Sequence, residues 1–274
     1  MVAIGEQPPR ILINGRMATR VAALDRGLSY GDGVFRTLRI AGGRPRWWQD
    51  HMAKLAEDCV RLGLICPERA RLEQDLSRLA PLPDNGILRL TVTRGEGPRG
   101  YRPPPSSRCT RILACWPTEP PDQDPEQLTV RVCDLRLGHQ PALAGVKHLN
   151  RLENVLARAE WSDPATQEGV LLDQDGRVVS GTMSNLFIWR DGRLQTPRLH
   201  LCGVAGVARS RLMRLAPTLG IHCEERDIDL DALLRAEEVM LSNSLWGLRR
   251  VARLDDRIWP RPMVSSRLMA LLDA

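Results

Sequence analysis

Hydrophobic and polar positions follow two different periods in the first part of the chain. From Gln49 to Leu64 the apolar residues recur at a helical period, which predicts an amphipathic helix, and ARLEQDLSRLA predicts a second helix. Other segments have the short apolar runs and glycine-containing turns of strands. These predicted strands are RILINGR, GVFRTLRIAGGR, GILRLTVTRG and TRILACWP.

The second part of the chain begins after 118–127, a stretch of prolines and acidic residues that predicts a linker. This linker separates a predicted N-terminal α/β domain, 1–117, from a C-terminal α/β domain, 128–274. Two strand pairs of the C-terminal domain turn at Asp-Gly, a strong hairpin signal, and they are GVLLDQDGRVVSG and NLFIWRDGRLQTP. The other predicted elements are a strand in QLTVRVCDLRL, helices in NRLENVLARAEW and AGVARSRLMRLAPTLG, and a strand ending in a polar turn in EEVMLSNSLWG.

The order of these elements is mixed and lacks a regular alternation of strand and helix. No internal repeat or low-complexity tract interrupts it. The pattern therefore predicts an α+β protein of two domains and argues against a Rossmann or TIM-barrel layout.

Composition narrows the classes of function. The chain has a net charge of +6 and a pI near 9.2, but its arginines are dispersed and interleaved with acidic residues. Tyr and Phe, on which nucleic-acid bases stack, number only two each. We therefore expect no nucleic-acid partner, and we expect the positive charge to attract small anionic substrates.

Other features predict a soluble protein of the cytoplasm. No window of eighteen uncharged apolar residues predicts a membrane span, and the N-terminus lacks the layout of a signal peptide. The seven cysteines are scattered without a CxxC pair, which predicts reduced thiols and no metal site.

Lysine is almost missing from this basic chain. Of the 39 Lys and Arg residues only two are lysine, Lys54 and Lys147, and the other 37 are arginine. An arginine supplies charge as well as a lysine does, but only a lysine amine can lose its proton and form a Schiff base. The bias alone leaves open whether Lys147 is a surface residue or a nucleophile.

A set of motifs resolves this question through a resemblance. The chain resembles the fold-type IV pyridoxal-phosphate enzymes, which include the D-amino-acid aminotransferases, and most closely their aminodeoxychorismate lyase branch. The likeness covers about residues 11–255. The motifs that carry it, in chain order, are SYGDGVFRTLRI, DHMAKL, TRGEGPRGY, GVKHLNRLENVLAR, SGTMSNLFIW, GVAGVARSRL and SNSLWG.

The resemblance implies pyridoxal 5'-phosphate as the cofactor, bound between the domains of a homodimer. Lys147 is then the lysine that binds the cofactor covalently and moves protons, and Thr37 is a further candidate for catalysis by analogy. A glycine-flanked turn before a helix could cradle the phosphate with backbone N–H groups, although a glycine before a helix is by itself ordinary helix capping. The residues of this predicted cradle are Gly206, Val207 and Ala208, and Asn243 and Ser244 are either further cofactor contacts or a simple turn.

Two positions depart from the pattern of the family. Lys54 stands where the family usually has a phosphate-binding Arg, which keeps the charge but loses the bidentate fork. Ser180 stands where the family usually has a Glu that keeps the pyridine nitrogen protonated, and no carboxylate lies between Val178 and Asn185. A serine leaves the ring a weaker electron sink, which an elimination that forms an aromatic product tolerates better than a transamination does.

The substrate implied by the resemblance carries two carboxylates, so arginines are expected near the site. Candidates on the glycine-rich loop are Arg94, Arg99 and Tyr101, with a solvent-exposed hairpin as the alternative. Arg151 is either a site residue or a structural ion-pair partner. Arg36, at a position that is often Glu in the family, has no assigned role.

The predicted function is a lyase that converts 4-amino-4-deoxychorismate to 4-aminobenzoate and pyruvate for folate synthesis. One alternative is a branched-chain or D-amino-acid aminotransferase of the same fold. A second is a non-catalytic protein that binds the cofactor or an anion, suggested by Ser180 and Lys54.

Overall fold

The computed structural model describes residues 8–105, 107–119 and 127–273. The chain forms two compact units. The first unit comprises Met1–Asp122 with Val146–Asn150, and the second comprises Gln123–Gly145 with Arg151–Ala274. Most of the predicted linker, 120–126, lies outside the described residues. The prediction counted Lys147 with the C-terminal domain, whereas its segment clusters with the first unit.

Within its described residues, the first unit is a six-stranded sheet with three helices. The helices are α1 (Arg26–Tyr30), α2 (Trp48–Arg61) and α3 (Arg69–Arg78), and the strands are β1 (Arg10–Ile13), β2 (Arg16–Met17), β3 (Gly33–Ala41), β4 (Arg44–Pro45), β5 (Asn85–Thr93) and β6 (Thr110–Pro117). The strands are all antiparallel, in the order β2-β1-β6-β5-β3-β4.

One face of this sheet packs against the helices and forms the core of the first unit. Val34, Leu38 and Leu88 face the same core as Leu55 of α2 and Leu72 of α3. Side chains alternate along a strand, so Phe35 and Thr37 of β3 lie on the other face, whereas Arg36 faces the helices.

The part of the second unit that the structure describes is a nine-stranded mixed sheet with four helices. The strands are β7 (Gln127–Leu137), β8 (Glu168–Asp173), β9 (Val178–Gly181), β10 (Asn185–Arg190), β11 (Arg193–Pro197), β12 (Cys223–Arg226), β13 (Glu238–Asn243), β14 (Gly247–Leu254) and β15 (Arg257–Ile258). Their order in the sheet is β12-β11-β10-β13-β14-β7-β8-β9, and β15 pairs with β14. The helices are α4 (Leu152–Arg158), α5 (Val207–Leu215), α6 (Leu230–Leu234) and α7 (Ser265–Asp273), and a 3-10 turn covers Ala216–Leu219.

Both predicted Asp-Gly hairpins are present in this unit. β8 pairs with β9 and β10 pairs with β11, each in antiparallel register. The turns place Gly176 at φ 80° and Gly192 at φ 70°, the left-handed region that glycine adopts without a steric cost. The mixture of antiparallel hairpins and a few parallel pairs confirms the predicted α+β class.

None of the helices in the described ranges is long and apolar enough to cross a membrane.

Candidate active site

Lys147 is fixed by its main chain against the start of β3. Phe35 N donates to Lys147 O over 3.0 Å, and Leu149 N donates to Gly33 O over 3.0 Å. On the other side, Lys147 N donates to the carboxylate of Asp58 in α2 over 3.0 Å. These contacts explain why the lysine segment belongs to the first unit. They hold the main chain of Lys147 and leave its half-buried side chain to reach the far face of β3.

The amine of Lys147 lies on an aromatic ring. Its Nζ is 4.5 Å from the centroid of the Phe35 ring, and the guanidinium carbon of Arg89 lies 4.3 Å from the same centroid. Arg89 is opposite Thr37 in the β3–β5 register. Thr37 follows Phe35 by two residues and so points to the same face of the strand. The structure thus brings the Lys147 amine, Thr37 and Arg89 to one face of the sheet.

A neutral histidine lies beside this group. His51 of α2 is 2% exposed, and neither ring nitrogen has a hydrogen-bond partner among the residues that the structure describes. Burial lowers the pKa of His51 to about 3, and the positive charges of Arg36 and Lys147 act in the same direction. His51 is therefore uncharged at neutral pH, which suits a structural residue.

Lys54, the predicted phosphate ligand, is paired with carboxylates of its own helix. Its Nζ lies 2.7 Å from Glu57 Oε1 and 3.0 Å from Asp58 Oδ1. Arg36 Nη2 donates to Lys54 O over 3.2 Å and forms an ion pair with Asp58. The two departures from the family pattern in the first unit, at positions 36 and 54, thus meet at one carboxylate.

The predicted substrate residues of the glycine-rich loop differ in their surroundings. Arg94 is buried, and its guanidinium donates to Asp32 over 2.7 Å and to the carbonyls of Gly63 and Leu62 over 2.7 and 2.9 Å. These bonds occupy its Nε and both terminal nitrogens, so the structure gives Arg94 a structural role in place of the predicted substrate contact. Arg99, by contrast, is exposed.

Tyr101 is 87% exposed, and its ring meets the edge of Tyr30 at 5.6 Å between centroids. The carbonyl of Tyr101 accepts from Arg26 over 3.0 Å, which ties this part of the loop to α1. The side chain of Tyr101 is accordingly open to a ligand while its main chain is held.

The hydroxyl of Ser180, in the second unit, makes a short-range hydrogen bond. Its hydroxyl donates to Gly181 O over 2.9 Å, and its side chain is buried in β9. The β8–β9 hairpin also contains Glu168, which is 0% exposed. Glu168 accepts from Thr182 N over 3.0 Å, from the Thr182 hydroxyl and from Ser184 Oγ over 2.9 Å. Its oxygens already accept hydrogen bonds from the 182–184 turn, so Glu168 does not replace the glutamate that is missing at position 180.

A glycine-containing turn that is hydrogen-bonded to the Asn185 side chain precedes α5. Asn185 Nδ2 donates to Val204 O over 2.8 Å, and Gly206 N donates to Asn185 Oδ1 over 3.0 Å. A Cβ at Gly206 would lie 2.4 Å from Asn185 Oδ1, so the turn requires glycine at this position. Val207 and Ala208 then open the helix, whose first turn contains no acidic residue. The N–H groups of this turn have no acceptor within the helix.

The remaining candidates are Asn243, Ser244 and Arg151, and the first of these makes hydrogen bonds within its own turn. Asn243 Oδ1 accepts from Leu245 N over 2.9 Å and from Trp246 N over 3.1 Å, which is an Asx turn that ends β13. Ser244 lies half-buried inside that turn. Arg151 precedes α4, and burial lowers its pKa. The turn explains Asn243 and leaves Ser244 as the better cofactor candidate of the pair.

Four residues of the site were missing from the sequence prediction. Phe35 and Asp58 contact Lys147, Arg89 shares the Phe35 ring, and Glu168 orders the turn after Ser180. A signal existed for Asp58, since it follows Lys54 by four residues on a helix. Glu168 begins a strand with no exposed position, where a carboxylate needs partners.

Comparisons with known proteins identify a family, two relatives and a solved structure that are similar to this chain. The family model described as amino-transferase class IV matches residues 33–254. An aminodeoxychorismate lyase of Vibrio harveyi is 34% identical over 88% of this chain and 89% of its own length, and a D-alanine aminotransferase of Bacillus licheniformis is 26% identical over 90% and 88%. The crystal structure of a 4-amino-4-deoxychorismate lyase from Pseudomonas aeruginosa is 43% identical, covers 95% of this chain and 97% of its own, and superimposes with a TM-score of 0.88.

The match to the family model spans most of the chain, and the relatives are covered almost completely. The similarity to the Pseudomonas structure extends across both units. The chain therefore belongs to the amino-transferase class IV family and has the fold-type IV architecture that its motifs indicate.

Proposed function

We propose that this protein is a pyridoxal-phosphate-dependent lyase that converts 4-amino-4-deoxychorismate to 4-aminobenzoate and pyruvate. The observation that carries the proposal is the placement of Lys147, one of only two lysines, with a fixed main chain and its amine on the Phe35 ring. The names of the Vibrio and Pseudomonas relatives support the choice of the lyase reaction.

The residues of each unit fit the cofactor. In the first unit, Lys147 supplies an amine beside an aromatic ring, and Lys54 supplies a cation for a phosphate. In the second unit, the turn at Gly206 has room for no Cβ, and the start of α5 presents N–H groups without intrahelical acceptors. An anion is stabilised at such a helix end. We propose Lys54 of the first unit, and Val207, Ala208 and Ser244 of the second, as phosphate-binding residues.

The chemistry divides between the cofactor and the protein. When bound, pyridoxal phosphate supplies the electron sink that makes the C4 proton of the substrate acidic. Lys147 takes that proton with its amine as the bond between the ring carbon and the enolpyruvyl oxygen breaks. The same amine then delivers a proton to the methylene carbon of enolpyruvate, which gives pyruvate. Thr37, on the same strand face as the amine, is proposed to donate a hydrogen bond to the departing group.

Ser180 fits an elimination better than a transamination. Its hydroxyl donates to Gly181 O, and Glu168 is committed to the 182–184 turn, so neither residue holds a protonated pyridine nitrogen. The lyase reaction forms an aromatic ring, and this driving force reduces the need for a strong electron sink. A transaminase lacks this compensation.

Recognition of the substrate carboxylates is assigned to cationic and polar side chains. We propose Arg99, Tyr101 and Arg151, as the motifs imply, and we add Arg89 because its guanidinium shares the Phe35 ring with the Lys147 amine. Arg94 is left out because its guanidinium is used within the first unit.

We also propose that the protein is a cytoplasmic homodimer. All seven cysteines are unpaired thiols, as expected in a reducing compartment. Leu152, Val155 and Leu156 of α4 are all more than half exposed, and an apolar face of this size suits a subunit contact. Light scattering of the purified protein measures the mass, and a mass of one chain would contradict the dimer.

The proposal is tested by supplying 4-amino-4-deoxychorismate to the protein loaded with pyridoxal phosphate. We expect 4-aminobenzoate and pyruvate in equal amounts, and we expect neither from Lys147→Arg, which keeps a charge but lacks the amine. Turnover that requires an added keto acid and yields no 4-aminobenzoate would identify the aminotransferase alternative, represented here by the Bacillus relative. Cofactor binding with neither activity would support the non-catalytic alternative.

A further inference from the structure

Asp58 is a buried carboxylate on which three basic residues of the first unit converge. Its side chain is 0% exposed on the inner face of α2. One oxygen, Oδ2, accepts from Lys147 N over 3.0 Å and from Arg36 Nη2, while Lys54 Nζ lies 3.0 Å from the other oxygen, Oδ1. Both lysines of the chain therefore contact the same carboxylate, one through its main chain and one through its amine.

We infer that Asp58 is a positioning residue, which fixes the main chain of Lys147 and the amine of Lys54 in register with each other. The inference rests on the proposed function, in which Lys147 binds the cofactor covalently and Lys54 binds its phosphate. A single side chain then sets the distance between the two groups that hold opposite ends of the cofactor.

Arg36 makes this arrangement possible. A buried carboxylate is costly unless a charge and hydrogen bonds compensate it. Arg36 is 1% exposed and forms the ion pair with Asp58, and it also donates to Lys54 O over 3.2 Å. Burial lowers the pKa of Arg36, and the charge of Asp58 opposes this effect. The pair thus anchors Asp58 in one orientation and ties it to the helix turn that carries Lys54.

The local charge shows why a neutral residue would not serve as well. Arg36, Lys54 and the Lys147 amine are basic, and His51 is neutral because burial and the charges of Arg36 and Lys147 lower its pKa. Glu57 also pairs with Lys54, but its side chain is 58% exposed and is screened by solvent. Asp58 is the buried anion of this group, so its loss would leave Arg36 to repel both lysine amines.

The test compares neighbouring carboxylates of the same helix. Asp58→Asn alone leaves Arg36 buried without a counter-charge and risks loss of the fold, so the main variant is Arg36→Met with Asp58→Asn, which removes both charges together. Glu57→Gln is the matched control, since it removes the exposed partner of Lys54. Thermal unfolding establishes that each variant is folded at the temperature of the assays.

Two measurements are made on each variant. The first is acetylation of the cofactor-free protein by acetic anhydride, with Lys54 and Lys147 quantified by peptide mapping. The second is the Kd for pyridoxal phosphate from absorbance titration. For the double variant we expect a several-fold increase in acetylation of Lys54 and a changed ratio of acetylation at Lys147 to that at Lys54. We also expect a Kd raised by about tenfold to a hundredfold, by analogy with the loss of residues that orient metal ligands.

Glu57→Gln should leave both measurements near the wild-type values. Acetylation of both lysines and a Kd that match wild type in the double variant would overturn the inference. If wild type itself fails to bind pyridoxal phosphate, the proposed function fails, and the acetylation of the cofactor-free protein still decides whether Asp58 positions the two lysines.

Discussion

Phe35 contacts Lys147 twice, through the main chain and through the ring. Its N–H donates to Lys147 O over 3.0 Å, and its ring centroid lies 4.5 Å from Lys147 Nζ. The first contact fixes where the lysine leaves the chain, and the second fixes where its amine points. A cation over an aromatic ring is stabilised by about 0.5–2 kcal/mol, more when it is desolvated.

The ring contact predicts the effect of Phe35→Leu. The main-chain bond to Lys147 remains, but the amine loses its aromatic partner, so we expect kcat to fall by about tenfold, the equivalent of 1–2 kcal/mol. Phe35→Tyr keeps a ring and should lose much less. Steady-state assays of 4-aminobenzoate formation measure both variants, and equal losses would show that the ring itself is unimportant.

Ser180→Glu restores the residue that the family usually has at this position. We expect little gain in lyase turnover, because aromatisation already drives the elimination. Position 180 is buried in β9, so the new carboxylate would be buried and the free energy of unfolding should fall by about 1–3 kcal/mol.

Ser180→Ala is the control for this substitution. It removes only the hydrogen bond to Gly181 O, for which we expect about 1 kcal/mol. Denaturant unfolding and lyase assays are run on both variants. A large increase in lyase turnover by Ser180→Glu would contradict the view that serine suits this reaction.

Gly206→Ala tests the turn before α5. The added methyl would lie 2.4 Å from Asn185 Oδ1, so the turn must shift and move the N–H groups of Val207 and Ala208. We expect weaker binding of pyridoxal phosphate, by about tenfold, because a small misplacement of positioned groups is costly. Gly138→Ala is the control, since its added methyl would lie 3.6 Å from Glu153, an ordinary contact. A Kd unchanged in both variants would exclude this turn from the phosphate site.

We expect the buried His51 to lower the free energy of unfolding at acid pH. Its pKa is about 3 in the folded protein and near 6.5 in the unfolded chain, so the folded state binds fewer protons between these values. The contribution of the neutral form is complete above pH 6.5 and is lost as the pH falls toward 3. By pH 4.5 wild type should lose about 2.5 kcal/mol of unfolding free energy from this residue, relative to pH 7.

His51→Leu removes this titration. Between pH 7 and pH 4.5, wild type should therefore lose more unfolding free energy than His51→Leu does, as measured by denaturant unfolding. His222→Gln is the control, because the His222 side chain is 66% exposed. A pH-independent difference for His51→Leu would show that this histidine is not buried in its neutral form.

The regular elements could be predicted because their signals are local. The helix predicted from Gln49 to Leu64 spans Trp48–Arg61, and it ends where Gly63 adopts a φ of 58°. The two Asp-Gly turns are likewise local choices of backbone conformation. The pattern also placed Val60 on the apolar face of this helix, but Val60 is 77% exposed. Cys59, its neighbour, occupies the buried direction, since successive helical residues point about 100° apart.

The polar interior could not be predicted from the same pattern. Asp58 looks like a solvent-facing residue of an amphipathic helix until Arg36, 22 positions earlier, is brought against it by β3. Arg94 resembled a ligand residue because charged residues on glycine-rich loops often bind substrates, yet its partners Leu62 and Gly63 lie at the end of a distant helix. Such pairings depend on tertiary contacts, which periodicity does not contain.

Covalent binding of pyridoxal phosphate by Lys147 underlies the proposed lyase reaction. It is tested by borohydride reduction of the purified protein with added pyridoxal phosphate, followed by peptide mapping. With only two lysines in the chain, the outcome is simple to assign. We expect a phosphopyridoxyl group on the peptide that contains Lys147, whereas no label, or label only on Lys54, would contradict covalent binding by Lys147.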